Sequence, residues 1–354
     1  MTQTYSPTKF ERFIGIDVSK DSFCFTVFSH EQKLATKTIP SDPMNLINYI
    51  NNHHKDQSVI CAYEAGPTGF GLYDALTTTN IPYLVVAPTS IAKKPNQRIK
   101  NDRVDSVKLA NLLRQGELSS VHIPTGAYRQ LRHLVKSYQM YITQRTSTKR
   151  CIKSLLLFTS APQPIDDIKH NWCNPYIQYL KTVDCPDYVR QRLDMLLADL
   201  VYARKQCLQA ILNLRQFANA NPEINRQIQY LDSIDGIGFI IACCLLARIG
   251  NPTEISSCRQ LGAFLGLIPC EHSSGKRTLQ GNITRLGDAQ LRSLLIEAAW
   301  KAIKKNVHLQ KFFDRIRSRN NPQIAKRKAI VAVARKLTLF IYAVLKEQRP
   351  FMVH

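Results

Sequence analysis

The sequence predicts an α/β plus α protein, in which an N-terminal domain with a mixed sheet flanked by helices precedes a mostly helical remainder. In residues 1–115, short apolar runs alternate with amphipathic stretches, whereas the later residues form long segments with helical periodicity. The chain has 354 residues, more than one hydrophobic core usually organises. We therefore expect three parts, at residues 1–125, 126–225 and 226–354.

Strands open the N-terminal part. Apolar runs at 13–18, 23–28 and 34–39 are joined by short polar turns, a pattern typical of an antiparallel meander. A helical pattern begins at Asp42, and strands at 58–63 and 81–86 then flank a helix at 69–78. Another helix begins at Asn101 and ends before Gly116, a typical C-terminal stop. This order predicts a mixed sheet.

The remainder is helical in pattern. Residues 128–158 and 188–217 are long helical candidates, which could pack as a helical hairpin or as a coiled coil with a partner. A Pro- and Asp-bearing break separates them. A compact region follows from Tyr230, with predicted helices at 288–305 and 322–346.

Positive charge is concentrated in two blocks of a chain whose net charge is +22 at pH 7. Residues 91–153 hold 14 basic and 3 acidic residues, a net +11, and residues 271–354 hold 18 and 5, a net +13. Residues 1–90 carry a net charge of −2. Such blocks are typical of a protein that binds a polyanion, most simply nucleic acid. The alternatives are a basic solvated face and an acidic protein partner.

Four carboxylates stand where a metal site could be assembled. Asp17 and Glu64 each end an apolar run, while Asp102 and Asp105 share one face at the start of a predicted helix. Carboxylate oxygens suit Mg²⁺, and one or two such ions would polarise a phosphate. The alternative is that Asp102 and Asp105 cap the helix and pair with nearby basic residues. Those residues are Arg98, Lys100, Arg103 and Lys108.

Five motifs follow one another along the chain. They are FIGIDVSK, YEAGPTG, KNDRVDSVKLA, IDGIG and CRQLGAFLGLIPCEHSSGKRTLQGNITRLGDAQLRSLLIEAAW. In this order and separation they resemble the DEDD transposases, which include Piv-like DNA invertases and transposases of insertion sequences that encode a bridge RNA. The resemblance spans nearly the whole chain.

The resemblance implies a fold and a site. The N-terminal part would be a RuvC-like, RNase H-type domain whose acidic tetrad is Asp17, Glu64, Asp102 and Asp105, and the C-terminal part a transposase domain. The family's serine nucleophile precedes a glycine, which matches Ser274, with its neighbour Ser273 left open. The resemblance further implies double-stranded donor and target DNA, a structured noncoding guide RNA, and a homo-oligomer, either a dimer or a tetramer.

Two residues depart from the family pattern. Ser106 stands where the family often has Ala, and Asp235 where it often has Pro before the GIG turn. Neither departure removes a proposed ligand.

The serine motif is weaker when its residues are considered alone. A serine hydroxyl is a poor nucleophile until a base or a cation activates it. His272, Lys276 and Arg277 surround Ser274 in sequence and could serve. Without the resemblance, however, the same residues favour an ordinary Ser-Gly loop.

Other segments suit nucleic-acid contacts. The IDGIG turn could expose backbone N–H groups to a phosphate, or it could be a tight turn only. Basic residues at 93–100 and 314–328 would contact phosphates. Four aromatic residues interleaved with basic ones could stack on bases, although core packing is the favoured use for most. They are Tyr128, Tyr138, Tyr141 and Phe158.

The hypothesis from sequence is an insertion-sequence transposase that cuts and rejoins DNA through Ser274 and a magnesium-binding tetrad. One rival is a metal-dependent nuclease or Holliday-junction resolvase with water as nucleophile, and the other is a non-catalytic RNA-binding protein.

The opening MTQTYSPTKF has no signal pattern, and no apolar run is long enough for a membrane span, so we expect a soluble, unprocessed, cytoplasmic protein. Ten cysteines without a CxxC pair favour reduced thiols over zinc or disulfides.

Overall fold

The structure is a computed structural model that describes residues 5–66, 68, 70–88, 91, 101–121, 123–124, 126–160, 172–274, 277–284 and 286–352. For the described residues between 271 and 280, only the backbone is described. The chain divides into two compact units, Met1–Ile123 and Pro124–His354. The separate parts 126–225 and 226–354 stay a prediction.

The first unit is built on a five-stranded mixed sheet with the strand order β3-β2-β1-β4-β5. Strands β1 to β3 pair antiparallel as a meander, and β4 and β5 add to β1 in parallel. The mixed sheet with flanking helices that the sequence predicted is therefore confirmed. The elements are β1 (Arg12–Val18), β2 (Ser22–Phe28), β3 (Lys33–Pro40), α1 (Pro43–His53), β4 (Val59–Glu64), α2 (Gly71–Thr78), β5 (Tyr83–Val86) and α3 (Asp102–Gln115).

Both faces of this sheet are covered, and alternate residues of β1 divide between them. Ile14 and Ile16 join a core with residues of α1 and α2, including Leu46. Phe13 joins a second core with Leu109 of α3. The odd-numbered residues of β1 therefore face α3, which places Asp17 on the same side of the sheet as that helix.

The second unit is helical apart from a two-stranded sheet in the part of the chain that the structure describes. Its α-helices are α4 (Gly126–Phe158), α5 (Asn174–Thr182), α6 (Asp187–Ala220), α7 (Pro222–Asp232), α8 (Phe239–Ile249), α9 (Cys258–Phe264), α10 (Ala289–Lys305), α11 (Val307–Ser318) and α12 (Pro322–Glu347). The strands are β6 (Pro269–Ser274) and β7 (Arg277–Ile283).

Helices α4 and α6 pack side by side in opposite directions. Ile152, near the end of α4, shares a core with Leu197, near the start of α6, whereas Tyr138 lies within electrostatic range of Cys207, further along α6. Burying one apolar stripe from each helix stabilises the pair. The predicted helical hairpin is thus present within the unit.

Side-chain caps fix where several helices begin. Asp42, Asn101 and Asp288 each accept a backbone N–H of the first turn that follows. Gly116 ends α3 with φ 76°, the left-handed conformation that favours glycine. Both the start at Asn101 and the stop at Gly116 agree with the sequence prediction.

All ten cysteines are free thiols, and five of them are buried. Burial raises the pKa of Cys61 and of Cys243 to about 12, so these thiols stay protonated and unreactive. Among the described helices, none is both long and apolar enough to cross a membrane.

Candidate functional site: an acidic cluster at the sheet edge

Parallel pairing brings Asp17 and Glu64 to the same edge of the sheet. Strands β1 and β4 run parallel, with Ile16 opposite Tyr63 in the register. The next residue on each strand is an acid, Asp17 on β1 and Glu64 at the end of β4. Because parallel strands end at a common edge, the two carboxylates emerge side by side.

The first turn of α3 brings the other two acids. Asn101 caps the helix by accepting the N–H of Arg103, and Asp102 and Asp105 occupy the turn that follows. Asp102 is exposed and Asp105 is half-buried. Acids in this position are stabilised by the positive end of the helix dipole, whatever else they bind.

Gly15 permits α3 to lie against β1. A Cβ at this position would sit 2.2 Å from the backbone nitrogen of Ala110 and 2.4 Å from the carbonyl oxygen of Ser106. Those distances leave no room for any side chain, so only glycine permits this contact between strand and helix. Gly15 lies two residues before Asp17, and its contact sets how close the start of α3 comes to the strand end.

Ser106, one of the two residues that depart from the family pattern, has a buried partner. Its hydroxyl lies 2.9 Å from that of Thr26 and donates to the carbonyl oxygen of Arg103 at 3.0 Å. Thr26 in turn lies 2.9 Å from Thr36. Ser106 and Thr26 are both fully buried, and the network satisfies their polar groups. The buried hydroxyl that this departure adds is therefore satisfied by hydrogen bonds.

The other three carboxylates act electrostatically on Asp17. Burial raises the pKa of Asp17 to about 6, helped by repulsion from Asp102, Asp105 and Glu64 and by a hydrogen bond with Asp102. In the part of the chain that the structure describes, no Lys or Arg forms an ion pair with these acids. The predicted pairing with Arg103 or Lys108 is therefore not observed, while Arg98 and Lys100 lie outside the described residues.

The donor set fits a hard divalent cation. Carboxylate oxygens are the preferred ligands of Mg²⁺, and a cation would offset the burial and the repulsion that together raise the pKa of Asp17. Within the described ranges, no group of three His, Cys, Asp or Glu side chains forms a compact metal cluster. The four acids are therefore neighbours whose side chains would have to rotate inward to share an ion.

The raised pKa of Asp17 predicts a pH-dependent cost to stability. Between the ordinary pKa of 3.8 and about 6 the folded protein binds this proton more tightly than the unfolded chain, so stability falls as pH rises through that window. Asp17→Asn should therefore raise the free energy of unfolding of the metal-free protein at pH 8. Since the carboxyl group is partly exposed, we expect a gain on the order of 1 kcal/mol.

Urea unfolding in EDTA would measure this gain, which should vanish near pH 4. Adding Mg²⁺ should stabilise the wild type and leave Asp17→Asn nearly unaffected, because a bound ligand stabilises only the state that binds it. A less stable Asp17→Asn protein at pH 8 in EDTA would mean that the acids do not repel one another.

The serine motif lies in a β-hairpin, not in the loop that its residues alone favoured. Ser273 pairs with Thr278 and Ser274 with Arg277 in the antiparallel register of β6 and β7. The sequence does not predict these strands, because PCEHSS and RTLQGNI lack the alternation of apolar and polar residues that is typical of a strand. The side chains of both serines lie outside the described residues, as do Gly275 and Lys276, so the choice between the two serines stays a prediction.

The GIG turn has a packing role. Gly236 adopts φ 89°, and a Cβ there would lie 2.2 Å from the carbonyl oxygen of Ala298 in α10. This close contact explains why Gly236 is a glycine, and no role in phosphate binding is needed to explain it. The sequence left open whether GIG was a tight turn or a phosphate site, and the structure supports the turn.

The aromatic residues proposed for base stacking differ in exposure. Tyr128 is half-buried and donates a hydrogen bond to Gln227 at 3.0 Å, so its hydroxyl is engaged within the second unit. Tyr138 and Tyr141 are also half-buried, whereas Phe158 is exposed. The basic segment 93–100 lies outside the described residues, and residues 314–328 lie on α11, the turn after it and the start of α12.

Comparisons with known proteins relate the chain to transposases and to pilin gene-inverting proteins. Residues 14–160 match a transposase family of the IS110 DEDD type, and residues 228–314 match the transposase IS116/IS110/IS902 family. A pilin gene-inverting protein of Moraxella bovis is 25% identical over 96% of the chain and 97% of its own length. The transposase for insertion sequence element IS1111A of Coxiella burnetii is 24% identical over 96% of the chain and 91% of its own length. A putative transposase of Sinorhizobium fredii is 28% identical over 82% and 71%.

Proposed function

We propose that this chain, which belongs to the DEDD transposase family of insertion sequences, cuts and rejoins DNA through a serine nucleophile and a magnesium-binding acidic tetrad. The observation that carries the proposal is the gathering of four carboxylates from three elements at one edge of the sheet, where no Lys or Arg of the described residues forms an ion pair with them. Structural carboxylates normally find cationic partners, whereas the partly buried Asp17 faces repulsion from the other three acids.

The tetrad residues Asp17, Glu64, Asp102 and Asp105 would hold one or two Mg²⁺ ions. When bound, such ions neutralise the charge that develops on a reacting phosphate. The protein's own contribution is to keep the donors close together on a rigid strand and helix. The contact at Gly15 provides that rigidity.

Ser274 would carry the covalent step. Its hydroxyl oxygen forms a bond to the phosphorus of a phosphodiester, the bond from phosphorus to one deoxyribose oxygen breaks, and the proton of the serine passes to that leaving oxygen. Attack by a deoxyribose hydroxyl of another strand reverses the step and frees the serine. Because the phosphoester energy is kept, strands are rejoined without an external energy source.

A guide RNA and a homo-oligomer complete the proposal. The two basic blocks suit a protein that contacts the backbones of RNA and DNA while base pairing selects the sequence.

An apolar stripe on α6 supports self-association. Tyr188, Met195 and Tyr202 recur every seven residues there and are 74%, 68% and 52% exposed. The opposite face of α6 packs in the core of its own unit.

A trapping assay tests the covalent step. Purified protein is incubated with its flanking RNA, labelled DNA and Mg²⁺, and a protein-DNA adduct that survives denaturation is measured. We expect Ser274→Ala to abolish the adduct, and the adjacent Ser273→Ala to retain it. Cleavage by Ser274→Ala without any adduct would favour the rival nuclease or resolvase, in which water attacks.

A further inference from the structure

Helix α4 carries an unusual charge composition. Over 33 residues it holds seven Lys and Arg and no Asp or Glu. An α-helix of this length extends for about 50 Å. Surface helices normally mix charges of both signs, because pairs three or four residues apart stabilise the helix. A long helix of a single sign suggests a polymeric anion as its partner.

Four of the cations of the second unit form a cluster between α4 and α6. Arg145, Lys149 and Lys153 are spaced four residues apart and follow one side of α4. Arg204 of α6 stands beside them and donates a hydrogen bond to the carbonyl oxygen of Trp172. The ammonium of Lys149 lies 5.2 Å from the centre of the Trp172 ring. We refer to Arg145, Lys149, Lys153 and Arg204 as the α4–α6 cluster.

No acid compensates the α4–α6 cluster within the described part of the chain. Burial lowers the pKa of Lys149, and Arg145, Arg204 and Lys153 lower it further, with no carboxylate acting in the opposite sense. The described ion pairs of this unit join Arg190 to Asp194, Arg248 to Asp288, Arg317 to Asp314 and Arg349 to Glu347. None includes a member of the cluster.

One donor in the cluster also lacks an acceptor. The Nε atom of Arg145 is buried and, among the described residues, has no hydrogen-bond partner. Buried donors are nearly always satisfied by protein, water or ligand. An anionic oxygen would satisfy this donor and neutralise the neighbouring charges together.

From these contacts, we propose that the α4–α6 cluster binds the phosphodiester backbone of a nucleic acid. A small anion would contact only part of the cluster. A phosphodiester chain would also contact the other cations of α4, a helix that contains no acid. The choice of nucleic acid among polyanions rests on the proposed function. The phosphates could belong to DNA or to RNA, which share this chemistry.

Equilibrium binding of the full-length chain tests the cluster. The probes are a labelled duplex DNA and an RNA hairpin of equal length, measured by fluorescence anisotropy over a range of KCl concentrations in EDTA. The assay contains no Mg²⁺ and does not depend on strand cleavage. Binding can therefore be measured even if the proposed chemistry is wrong. Lys149→Gln and the exposed Lys153→Gln remove one charge each from the cluster. Arg150→Gln is the matched control, since it removes one charge from an exposed neighbour on the same helix.

We expect each cluster variant to weaken binding about tenfold for at least one probe and to lower the slope of log affinity against log salt by about one. Arg150→Gln should change affinity less than about twofold, because Arg150 is not among the cations that act on Lys149. A loss confined to one probe identifies whether RNA or DNA occupies the cluster. Equal losses in all three variants, or no loss in either cluster variant, would overturn the proposal.

Discussion

Gly15→Ala should destabilise the first unit by about 3 kcal/mol or more and abolish formation of the protein-DNA adduct. The added Cβ would lie 2.2 Å from the nitrogen of Ala110 and 2.4 Å from the oxygen of Ser106, both of them backbone atoms that cannot rotate away. Strand β1 and helix α3 must therefore separate. Separation would move Asp102 and Asp105 away from Asp17 and Glu64.

Urea unfolding of the full chain and the trapping assay measure the two effects. Gly71→Ala is the matched control, because it makes the same change in the same unit where a Cβ would meet nothing within 4 Å. Gly71 is the first residue of α2, so alanine there should be neutral or stabilise by about 0.5 kcal/mol. If Gly15→Ala unfolded at the same urea concentration as the wild type, the close contact between β1 and α3 would be refuted.

Asp102→Asn and Glu64→Gln should each lower the rate of adduct formation by at least about a hundredfold while leaving nucleic-acid affinity largely unchanged. Each change removes one charge from the set that would hold Mg²⁺, and loss of one such electrostatic group typically costs two to three orders of magnitude. The combined variant should lose little more than either alone, because groups that act as a unit are not additive.

Stability separates a catalytic loss from unfolding. Neither carboxylate has a cationic partner among the described residues, so both variants should be at least as stable as the wild type in EDTA. Asp56→Asn, an exposed acid elsewhere in the same unit, is the control and should retain full activity. A full rate of adduct formation in Asp102→Asn would instead show that this acid does not serve the reaction, whereas a wild type that forms no adduct at all would favour the non-catalytic RNA-binding alternative.

Much of the fold followed from local pattern. Alternating apolar runs predicted all five strands of the first unit, and the helix that begins at Asn101 and stops at Gly116 was predicted at both ends. These signals are local because a side-chain cap or a strand face depends on residues only a few positions apart. The β6–β7 hairpin was missed because its strands have no apolar alternation.

The candidate site was predicted as a set of residues but not as an arrangement. The four acids were identified from strand ends and helix spacing, and family resemblance grouped them. That resemblance also singled out Ser274, and its role stays a prediction. No local signal marked Gly15 or Thr26 as residues that determine how α3 packs on the sheet, since each acts on a segment about 80 to 95 positions away along the chain.

The amino-acid sequence by itself determined where the strands of the first unit and the long helices form, which side chains carry charge, and which carboxylates end their strands. Only the tertiary structure decided that Asp17, Glu64, Asp102 and Asp105 are neighbours. It also decided that no acid of the described residues compensates the α4–α6 cluster. The physical reason is range. Periodicity and capping arise among residues close together in sequence. Repulsion between charges depends on distances in space instead, and these are set by how β1 packs against α3 and how α4 packs against α6.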